Sequence, residues 1–357
     1  MGFNTELLHG TKTGDPHTGA TLTPVYQSSA FFQPSAEQHE KLFHNKANGY
    51  SYTRINNPTI AAFEERMTVL EKGVASVACA SGMAALTNAL LNIVGSGQEI
   101  IASTSLYGGT IDLFHDLEAF GIKTIFVDGG DLGVVKAAIT DKTRVLFAET
   151  IGNPKLDVTD IGAWAKLAHE HGLPLMIDNT VATAFLVRPI ELGADIVINS
   201  TSKYINGNSS AISGVITDGG KFKWNVEQYP GMKDYLKFGK FAFTAKLRNG
   251  LFRNMGACMA PQTAFYNLLG METLGLRMER AFAIMNQLKV PQIVSNIGDT
   301  KTLIVHPEST LAAHSTEAEK RDAAVYDDMI RVSVGIEDIE DLVKDFEAAI
   351  ADTAEML

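Results

Sequence analysis

The chain of 357 residues has few cysteines, no long apolar run and no excess of basic side chains. Cys79 and Cys258 are its two cysteines. Their separation fits neither a CxxC metal motif nor a disulfide framework, so we expect both to be small apolar fillers and predict no metal site. The formal net charge of -11, without a basic cluster to neutralise a phosphate backbone, disfavours nucleic acid as a partner.

No stretch of about 18 apolar residues occurs, and the first residues do not combine a charged segment with an apolar one. We therefore expect a cytoplasmic protein that does not associate with membranes. At 45% hydrophobic residues, the chain is long enough for one large core and a second, smaller domain.

Residues 1–57 form an aromatic-rich arm without a sustained helical or strand period, and we expect this arm to contact a neighbouring subunit. The sequence predicts a large domain over residues 58–243 and a small domain over residues 244–357. Apolar residues at helical spacing near the carboxyl terminus predict a final amphipathic helix.

A helix is predicted from Pro58 to Lys72, because Asn57 is a favourable N-cap and proline suits the first helical position. From residue 74 onward, short apolar runs alternate with helical patterns, which is typical of a mostly parallel sheet covered by helices. Strands are predicted at 74–79, 99–103, 123–127, 144–148, 174–178, 195–199 and 211–216, with helices between them, for instance at 83–93 and 159–171.

Ligands of open α/β sheets bind beyond the carboxyl ends of the strands. Ser81-Gly82-Met83, Asp178 and Lys203 each follow a predicted strand, as do Glu149 and Asn153. Each has an ordinary explanation, since Ser-Gly often caps a helix, aspartate often caps or faces solvent, and a lysine after a strand is usually solvated. The Ser-Gly turn matches neither GxGxxG nor a P-loop, which weakens a dinucleotide or ATP site.

A second interpretation joins these residues in one site. A helix N-terminus can hold a phosphate, a carboxylate can pair with a protonated ring nitrogen, and a desolvated lysine can form a Schiff base; together these are what proteins contribute to pyridoxal phosphate chemistry. Asp178 and Lys203 are 25 residues apart on successive predicted strands, so we expect them on opposite sides of such a ring.

Conspicuous blocks of the chain resemble the Cys/Met-metabolism family of pyridoxal phosphate enzymes, in order and over nearly the whole length. The resemblance implies the fold type I architecture of aspartate-aminotransferase-like enzymes, with a mostly parallel central sheet and a small α+β C-terminal domain. The blocks are SYTRINNPT, ASGMAA, LYGGT, ETIGNP, IDNT, STSKYINGN, GMETLGLRMER, NIGDTKTL and IRVSVGIED.

The resemblance also implies roles for individual residues. Lys203 would bind the cofactor as a Schiff base and move protons, with help from Tyr107, which would stack on the ring. Asp178 would pair with the pyridine nitrogen, and Asn153 would lie near the ring hydroxyl. The cofactor phosphate would be held by Ser81, Gly82, Met83, Ser200 and Ser202 of one subunit and by the partner subunit's Tyr52 and Arg54. A homo-oligomer, a dimer that shares its active sites and assembles further into a tetramer, is therefore expected.

The substrate is expected to be an amino acid whose carboxylate is met by Arg331, with Asn296 close by. ETIGNP, DGGKFKW and NIGDTKTL are most similar to the O-acetylhomoserine sulfhydrylases of the family. This implies a transferase that replaces the γ-substituent of O-acetylhomoserine with sulfide or a small thiol, giving homocysteine or methionine and acetate. The alternatives are a methionine γ-lyase, although such lyases tend to carry cysteine where this chain has Gly109, and a cystathionine γ-synthase or lyase.

One departure from the family pattern follows Arg280. Family members have several dozen residues between this helix and the block that here reads NIGDTKTL, whereas this chain reaches Pro291 almost at once. The small domain is therefore predicted to be internally shortened. A non-catalytic relative, inactivated by that loss, is the alternative from another functional class.

Overall fold

The computed structural model describes residues 1–11, 14, 15, 17–44, 46–285, 298, 300–305, 307, 316, 320, 321, 323, 325, 326, 329 and 331–354. Its centre is a seven-stranded sheet with the strand order β1-β7-β6-β5-β4-β2-β3. The strands are β1 (Ala75–Cys79), β2 (Glu99–Ser103), β3 (Lys123–Val127), β4 (Thr143–Glu149), β5 (Leu175–Asp178), β6 (Ile196–Asn199) and β7 (Gly214–Asp218).

Strand β7 runs antiparallel to its neighbours β1 and β6, and the other neighbouring strands are parallel. The predicted mostly parallel sheet is therefore confirmed. The predicted strands overlap the observed ones closely, except that the last begins at Gly214 and not at residue 211. Ser213 immediately before β7 is bonded to Ser202 through its backbone N–H and carbonyl, so this stretch belongs to a loop.

Helices cover the sheet and continue into the second half of the chain. They are α1 (Phe3–His9), α2 (Ala36–Phe43), α3 (Pro58–Leu70), α4 (Gly82–Leu91), α5 (Gly108–Glu118), α6 (Leu132–Ala138), α7 (Ile161–Glu170), α8 (Thr183–Leu186), α9 (Ala242–Asn249), α10 (Leu251–Met255), α11 (Pro261–Met271), α12 (Leu274–Met285) and α13 (Ile339–Ala354), with 3-10 helices at Pro189–Leu192 and Pro230–Phe241.

The central strands are buried on both faces, which explains why they read as continuous apolar runs. On β4, Val145 and Phe147 pack in one hydrophobic cluster, while Leu146 and Ala148 pack in the cluster on the opposite face. All four are fully buried. Because side chains alternate along a strand, the polar residue that ends each strand is fixed on one face by the apolar residues before it.

The amino-terminal arm contains regular structure where the sequence showed no sustained period. Helix α1 packs on its own chain: Leu7 is buried in the cluster that α3 and α11 share, and Glu6 forms ion pairs with Lys72 and Arg188. Contact of the arm with a neighbouring subunit remains a prediction. Phe32, farther along the arm, is 92% exposed.

A second, two-stranded sheet pairs β8 (Leu303–Val305) with β9 (Arg331–Ser333) in antiparallel register. The predicted final helix is present as α13, and its apolar residues Leu342 and Phe346 are half-buried. The domain boundaries at residues 57 and 243 remain predictions. In the described part of the chain, no helix has the length and apolar content needed to cross a bilayer.

The two cysteines lie opposite each other in an isolated antiparallel bridge, and both are free thiols. Cys79 is fully buried in a hydrophobic cluster, and Cys258 packs against the same cluster. Their surroundings agree with the expected role of small apolar side chains.

A histidine and an aspartate join α7 to the amino end of β6. His169 Nε2 lies 2.8 Å from Asp195 Oδ2, which also accepts the backbone N–H of Leu175 at 2.9 Å. The hydrogen bond to Asp195 raises the pKa of His169 above its usual range. The charged pair therefore stabilises the fold below about pH 6.5, and this contribution is lost as the pH rises through the folded-state pKa.

We expect His169→Gln to reduce the free energy of unfolding more at about pH 6 than at about pH 9, because wild-type His169 is charged only at the lower pH. Urea unfolding at both pH values measures the difference. His171→Gln is the control, since that ring bonds the backbone carbonyl of Leu167. An equal loss of stability at both pH values would contradict the assignment.

Candidate active site

A cavity of about 430 Å³ lies at the carboxyl ends of β4, β5 and β6, the edge at which open α/β sheets bind ligands. Ten of the thirteen predicted site residues line it. They are Ser81, Gly82, Met83, Tyr107, Asn153, Asp178, Ser200, Ser202, Lys203 and Arg331.

The turn Ser81-Gly82-Met83 places the N-terminus of α4 in the cavity wall. Ser81 is the N-cap, and its Oγ accepts the backbone N–H of Ala84 at 3.0 Å. A Cβ on Gly82 would lie 2.7 Å from the Cβ of Ser200, so glycine is required for this turn to approach the next loop. Ser81 therefore caps a helix, as its ordinary explanation requires, while the first helical amides face a site that suits an anion.

Two carboxyl groups end neighbouring strands at the cavity. Glu149 and Asp178 are register partners on β4 and β5, and both line the cavity. Glu149 accepts the backbone N–H of Tyr107 at 2.7 Å, and Asp178 accepts that of Thr180 at 2.9 Å. Burial raises the pKa of Asp178, and burial together with the charge of Asp178 raises the pKa of Glu149 well above its usual range.

This pair is costly for the fold unless one member is neutral or a positive charge lies nearby. Both carboxyl groups face the same cavity, so a cation bound there would relieve the cost of their negative charge.

Lys203 lies on the loop of residues 200–213, here called the lysine loop, which follows β6. Ser202 Oγ donates to the Ser213 carbonyl at 3.1 Å and accepts the Ser213 N–H at 2.7 Å, while Thr201 Oγ1 donates to Ser213 Oγ at 2.7 Å. These bonds join the two ends of the lysine loop. Burial, and secondarily the charge of Arg331, lowers the pKa of Lys203.

Arg331 reaches the cavity from β9, in the small sheet. It is 2% exposed, and its Nη1 donates to Asn153 Oδ1 at 3.0 Å. Its Nε is buried without a hydrogen-bond partner among the described residues. Burial lowers the pKa of Arg331 to about 10. An unpaired donor on a buried guanidinium fits an anionic ligand, since a carboxylate would satisfy it.

Three predicted site residues do not line this cavity. Tyr52 is 42% exposed, and the guanidinium of Arg54 lies 5.3 Å from the centre of its ring. Arg54 donates to the Arg253 carbonyl of the same chain. The contribution of both residues to a partner's phosphate site remains a prediction, and Asn296 lies outside the described residues.

Sequence reasoning gave no role to several residues that line the cavity. Glu149 was visible at the end of a strand, but its bond to Tyr107 depends on the tertiary fold. Thr180 lies two residues after Asp178, and its hydroxyl accepts the Ser200 N–H at 2.7 Å. Nothing in the sequence indicated that Ile212, Ile304 and Val305 form an apolar wall of the cavity, because these residues come together from a loop and the small sheet.

These residues fit pyridoxal phosphate. The cavity offers a desolvated amine, a carboxyl group that accepts the backbone N–H of Thr180, and a helix N-terminus flanked by hydroxyls. Among the described residues, no group of three His, Cys, Asp or Glu side chains is placed to hold a metal ion.

The sheet and the cavity at its carboxyl edge are those of a pyridoxal phosphate enzyme of fold type I. A family model described as "Cys/Met metabolism PLP-dependent enzyme" matches residues 4–284 and 279–351. The chain therefore belongs to the Cys/Met-metabolism family of pyridoxal-phosphate-dependent enzymes, as its sequence blocks predicted.

Three relatives are informative. The O-acetyl-L-homoserine sulfhydrylase of Corynebacterium glutamicum is 37% identical over 424 residues, covering 98% of this chain and 97% of the relative. The L-methionine gamma-lyase of Fusobacterium nucleatum is 32% identical over 407 residues, covering 98% of each chain. The solved structure of a putative O-acetylhomoserine (thiol)-lyase from Campylobacter jejuni superposes with a TM-score of 0.90 at 28% identity, covering 98% of this chain and 100% of that one.

The Campylobacter jejuni structure contains N'-pyridoxyl-lysine-5'-monophosphate at its position 205. The alignment with the Corynebacterium glutamicum relative is longer than the 357 residues of this chain, so that relative has residues without a counterpart here. The two family matches meet at residues 279–284, where the sequence departs from the family pattern.

We expect Gly109→Ala to weaken pyridoxal phosphate binding by about 10-fold, because the added Cβ would lie 2.6 Å from Cε1 of Tyr107 and displace the ring. Absorbance titration of the cofactor-free protein measures the affinity. Gly162→Ala is the control, since its Cβ would meet Asp160 at an ordinary 3.6 Å. Unchanged affinity in Gly109→Ala would show that the Tyr107 ring does not contact the cofactor.

Proposed function

We propose that this protein catalyses γ-replacement on O-acetylhomoserine, with sulfide or a small thiol as nucleophile, giving homocysteine or methionine and acetate. The observation that carries the proposal is the convergence of Lys203, Asp178 and Arg331 on one cavity, in a chain 37% identical to an O-acetyl-L-homoserine sulfhydrylase. The choice of O-acetylhomoserine and of sulfide or a small thiol as the substrates is inferred from the similarity to these relatives.

Pyridoxal phosphate, when bound, supplies an electron sink for the negative charge that develops at the substrate Cα. Asp178 is assigned to the ring nitrogen, where a carboxylate keeps a proton in place. The amides of Gly82 and Met83, with the hydroxyls of Ser81 and Ser200, are assigned to the phosphate. Ser202 can join them only by giving up its hydrogen bond to the Ser213 carbonyl.

Lys203 is assigned three tasks: it holds the cofactor covalently, accepts the proton from the substrate Cα and returns a proton later in the cycle. A lowered pKa increases the neutral share of the amine, which is the form that attacks a carbonyl and accepts a proton. Tyr107, which lines the same cavity, is assigned to stack on the cofactor ring and to assist proton transfer.

Arg331 is assigned to the substrate carboxylate, which its guanidinium can hold through two parallel hydrogen bonds. The existing bond from Nη1 to Asn153 fixes the orientation of the guanidinium and leaves Nε without a described partner. The apolar side chains of Ile212 and Val305 also line the cavity and can contact the aliphatic part of the substrate.

A homo-oligomer completes the phosphate site in this proposal, because Tyr52 and Arg54 are exposed or turned to their own chain and do not line its cavity. The partner subunit's Tyr52 and Arg54 would supply the remaining contacts. A cytoplasmic location and the absence of nucleic-acid partners remain predictions of the sequence.

The wild-type protein, loaded with pyridoxal phosphate, is expected to form homocysteine from O-acetylhomoserine only when sulfide is present. Thiol-specific detection and mass spectrometry measure the product. Release of a ketoacid from methionine without a thiol would instead support the lyase, and cystathionine formed with cysteine would support the cystathionine synthase. A wild-type protein that binds no cofactor would support the non-catalytic alternative.

Borohydride treatment of the loaded protein is expected to fix a pyridoxyl group on Lys203, located by peptide mass spectrometry. Lys203→Ala is expected to abolish both this adduct and turnover, because Lys203 is the lysine that lines the cavity among the residues the structure describes. Lys246→Ala is the control, since that amine bonds the carbonyl of Asn92 away from the cavity. An adduct on another lysine would overturn the assignment.

We expect Asp178→Asn to retain the covalent cofactor but to slow removal of the Cα proton on the order of 10²-fold, since an amide cannot hold a proton on the ring nitrogen. Exchange of the Cα hydrogen in deuterated water, followed by NMR, measures this step directly. The matched control is Asp116→Asn, an exposed carboxylate on α5. A normal exchange rate in Asp178→Asn would contradict its role.

A further inference from the structure

One buried carboxyl group outside the cavity touches the strands that form it. Glu71 follows α3 as its C-cap residue and is 0% exposed. Asn199 Nδ2 donates to Glu71 Oε1 at 2.8 Å, and Asn179 Nδ2 lies 3.2 Å from Oε1 and 3.4 Å from Oε2. A single carboxyl group thus accepts hydrogen bonds from two asparagines on different strand ends.

The network extends to a third strand end. Asn179 Oδ1 accepts the hydroxyl of Thr150 at 2.8 Å, and Asn179 Nδ2 also donates to the Val187 carbonyl at 2.9 Å. Thr150 follows β4, Asn179 follows β5, and Asn199 ends β6. The side chains of all three residues are buried, so water does not replace these bonds.

Each of these three residues is the chain neighbour of a residue in the cavity wall. Thr150 follows Glu149, Asn179 follows Asp178, and Asn199 precedes Ser200. Successive side chains of a strand point to opposite faces, so one residue of each pair can bond to the network while its neighbour faces the cavity. Because the two residues are adjacent in the chain, fixing the backbone of one also fixes the backbone of the other.

Asn199 depends on Glu71 in particular. Among the described residues, the side chain of Asn199 forms its hydrogen bond with Glu71. Asn199 Oδ1 is buried and has no hydrogen-bond partner among these residues. Burial raises the pKa of Glu71 to about 7, although the hydrogen bonds from the two asparagines act in the opposite direction.

We propose that Glu71 is a positioning residue for the cofactor cavity, which ties the ends of β4, β5 and β6 together so that Asp178 and the start of the lysine loop keep their separation. The proposal deepens the proposed function, because the cofactor is the ligand whose binding that separation serves. Glu71 itself does not line the cavity and touches no reacting atom.

Glu71→Gln is the sharpest test, because glutamine keeps the volume but has one acceptor oxygen in place of two. Its NH₂ group would face an asparagine donor and leave a buried donor unpaired. We expect the apparent dissociation constant for pyridoxal phosphate to rise about 10-fold. We also expect a shift in the pH midpoint of the bound cofactor's absorbance band.

Asp218→Asn is the matched control. Asp218 is a second buried carboxyl group with two hydrogen bonds, to Gly220 N–H and Thr244 Oγ1, and burial raises its pKa to about 6. It pairs with Ile196 at the amino end of β6, on the opposite edge of the sheet from the cavity. Its loss is expected to lower the melting temperature without changing cofactor affinity or the pH midpoint.

Hydrogen exchange of the cofactor-free proteins gives a measurement that does not depend on cofactor binding. Glu71→Gln is expected to speed exchange in peptides covering 175–182 and 196–203, and Asp218→Asn is expected to leave residues 178–182 and 200–203 unchanged. If Glu71→Gln lowers the melting temperature but changes neither exchange at these strand ends nor cofactor affinity, Glu71 is only structural and the proposal fails. A wild-type protein that binds no cofactor would refute the proposed function, while the exchange data would still decide whether Glu71 holds the strand ends.

Discussion

The buried carboxyl groups at the carboxyl ends of the central strands are the constraint on which the site depends. Glu149 and Asp178 are neighbours in register, and a low dielectric makes two adjacent negative charges unfavourable. A neutral carboxyl group or a positive charge nearby relieves this cost. The cavity therefore suits a cationic group, and in the proposed function a protonated pyridine ring is that group.

Much of this arrangement could be predicted from the sequence. The ends of β4, β5 and β6 can be recognised in the sequence because these strands are buried on both faces and contain continuous apolar runs. Each apolar run stops abruptly, at Glu149, Asp178 and Asn199 respectively. Parallel strands bring such ends to one edge, so Asp178 and Lys203 could be placed together before any coordinates. The order of the strands in the sheet could not be predicted, because it depends on crossover connections that leave no local pattern in the sequence.

Residues whose roles depend on distant partners escaped prediction. Glu71 ends a helix and resembles any polar residue at such a position, yet it accepts hydrogen bonds from residues more than 100 positions away along the chain. Arg331 was predicted by resemblance, despite the missing segment after Arg280. Arg331 lies on the described two-stranded sheet, and its guanidinium reaches Asn153 at the cavity.

The serines that join the two ends of the lysine loop have a consequence for turnover. Ser202 and Thr201 at one end of the loop form hydrogen bonds with Ser213 at the other end, and these bonds hold the backbone next to Lys203 in place. Rotation about the four-carbon side chain alone can swing the amine from one acceptor to the next. Rotamer exchange of a side chain is much faster than rearrangement of a backbone, so the amine can change its reach while the lysine loop keeps its shape.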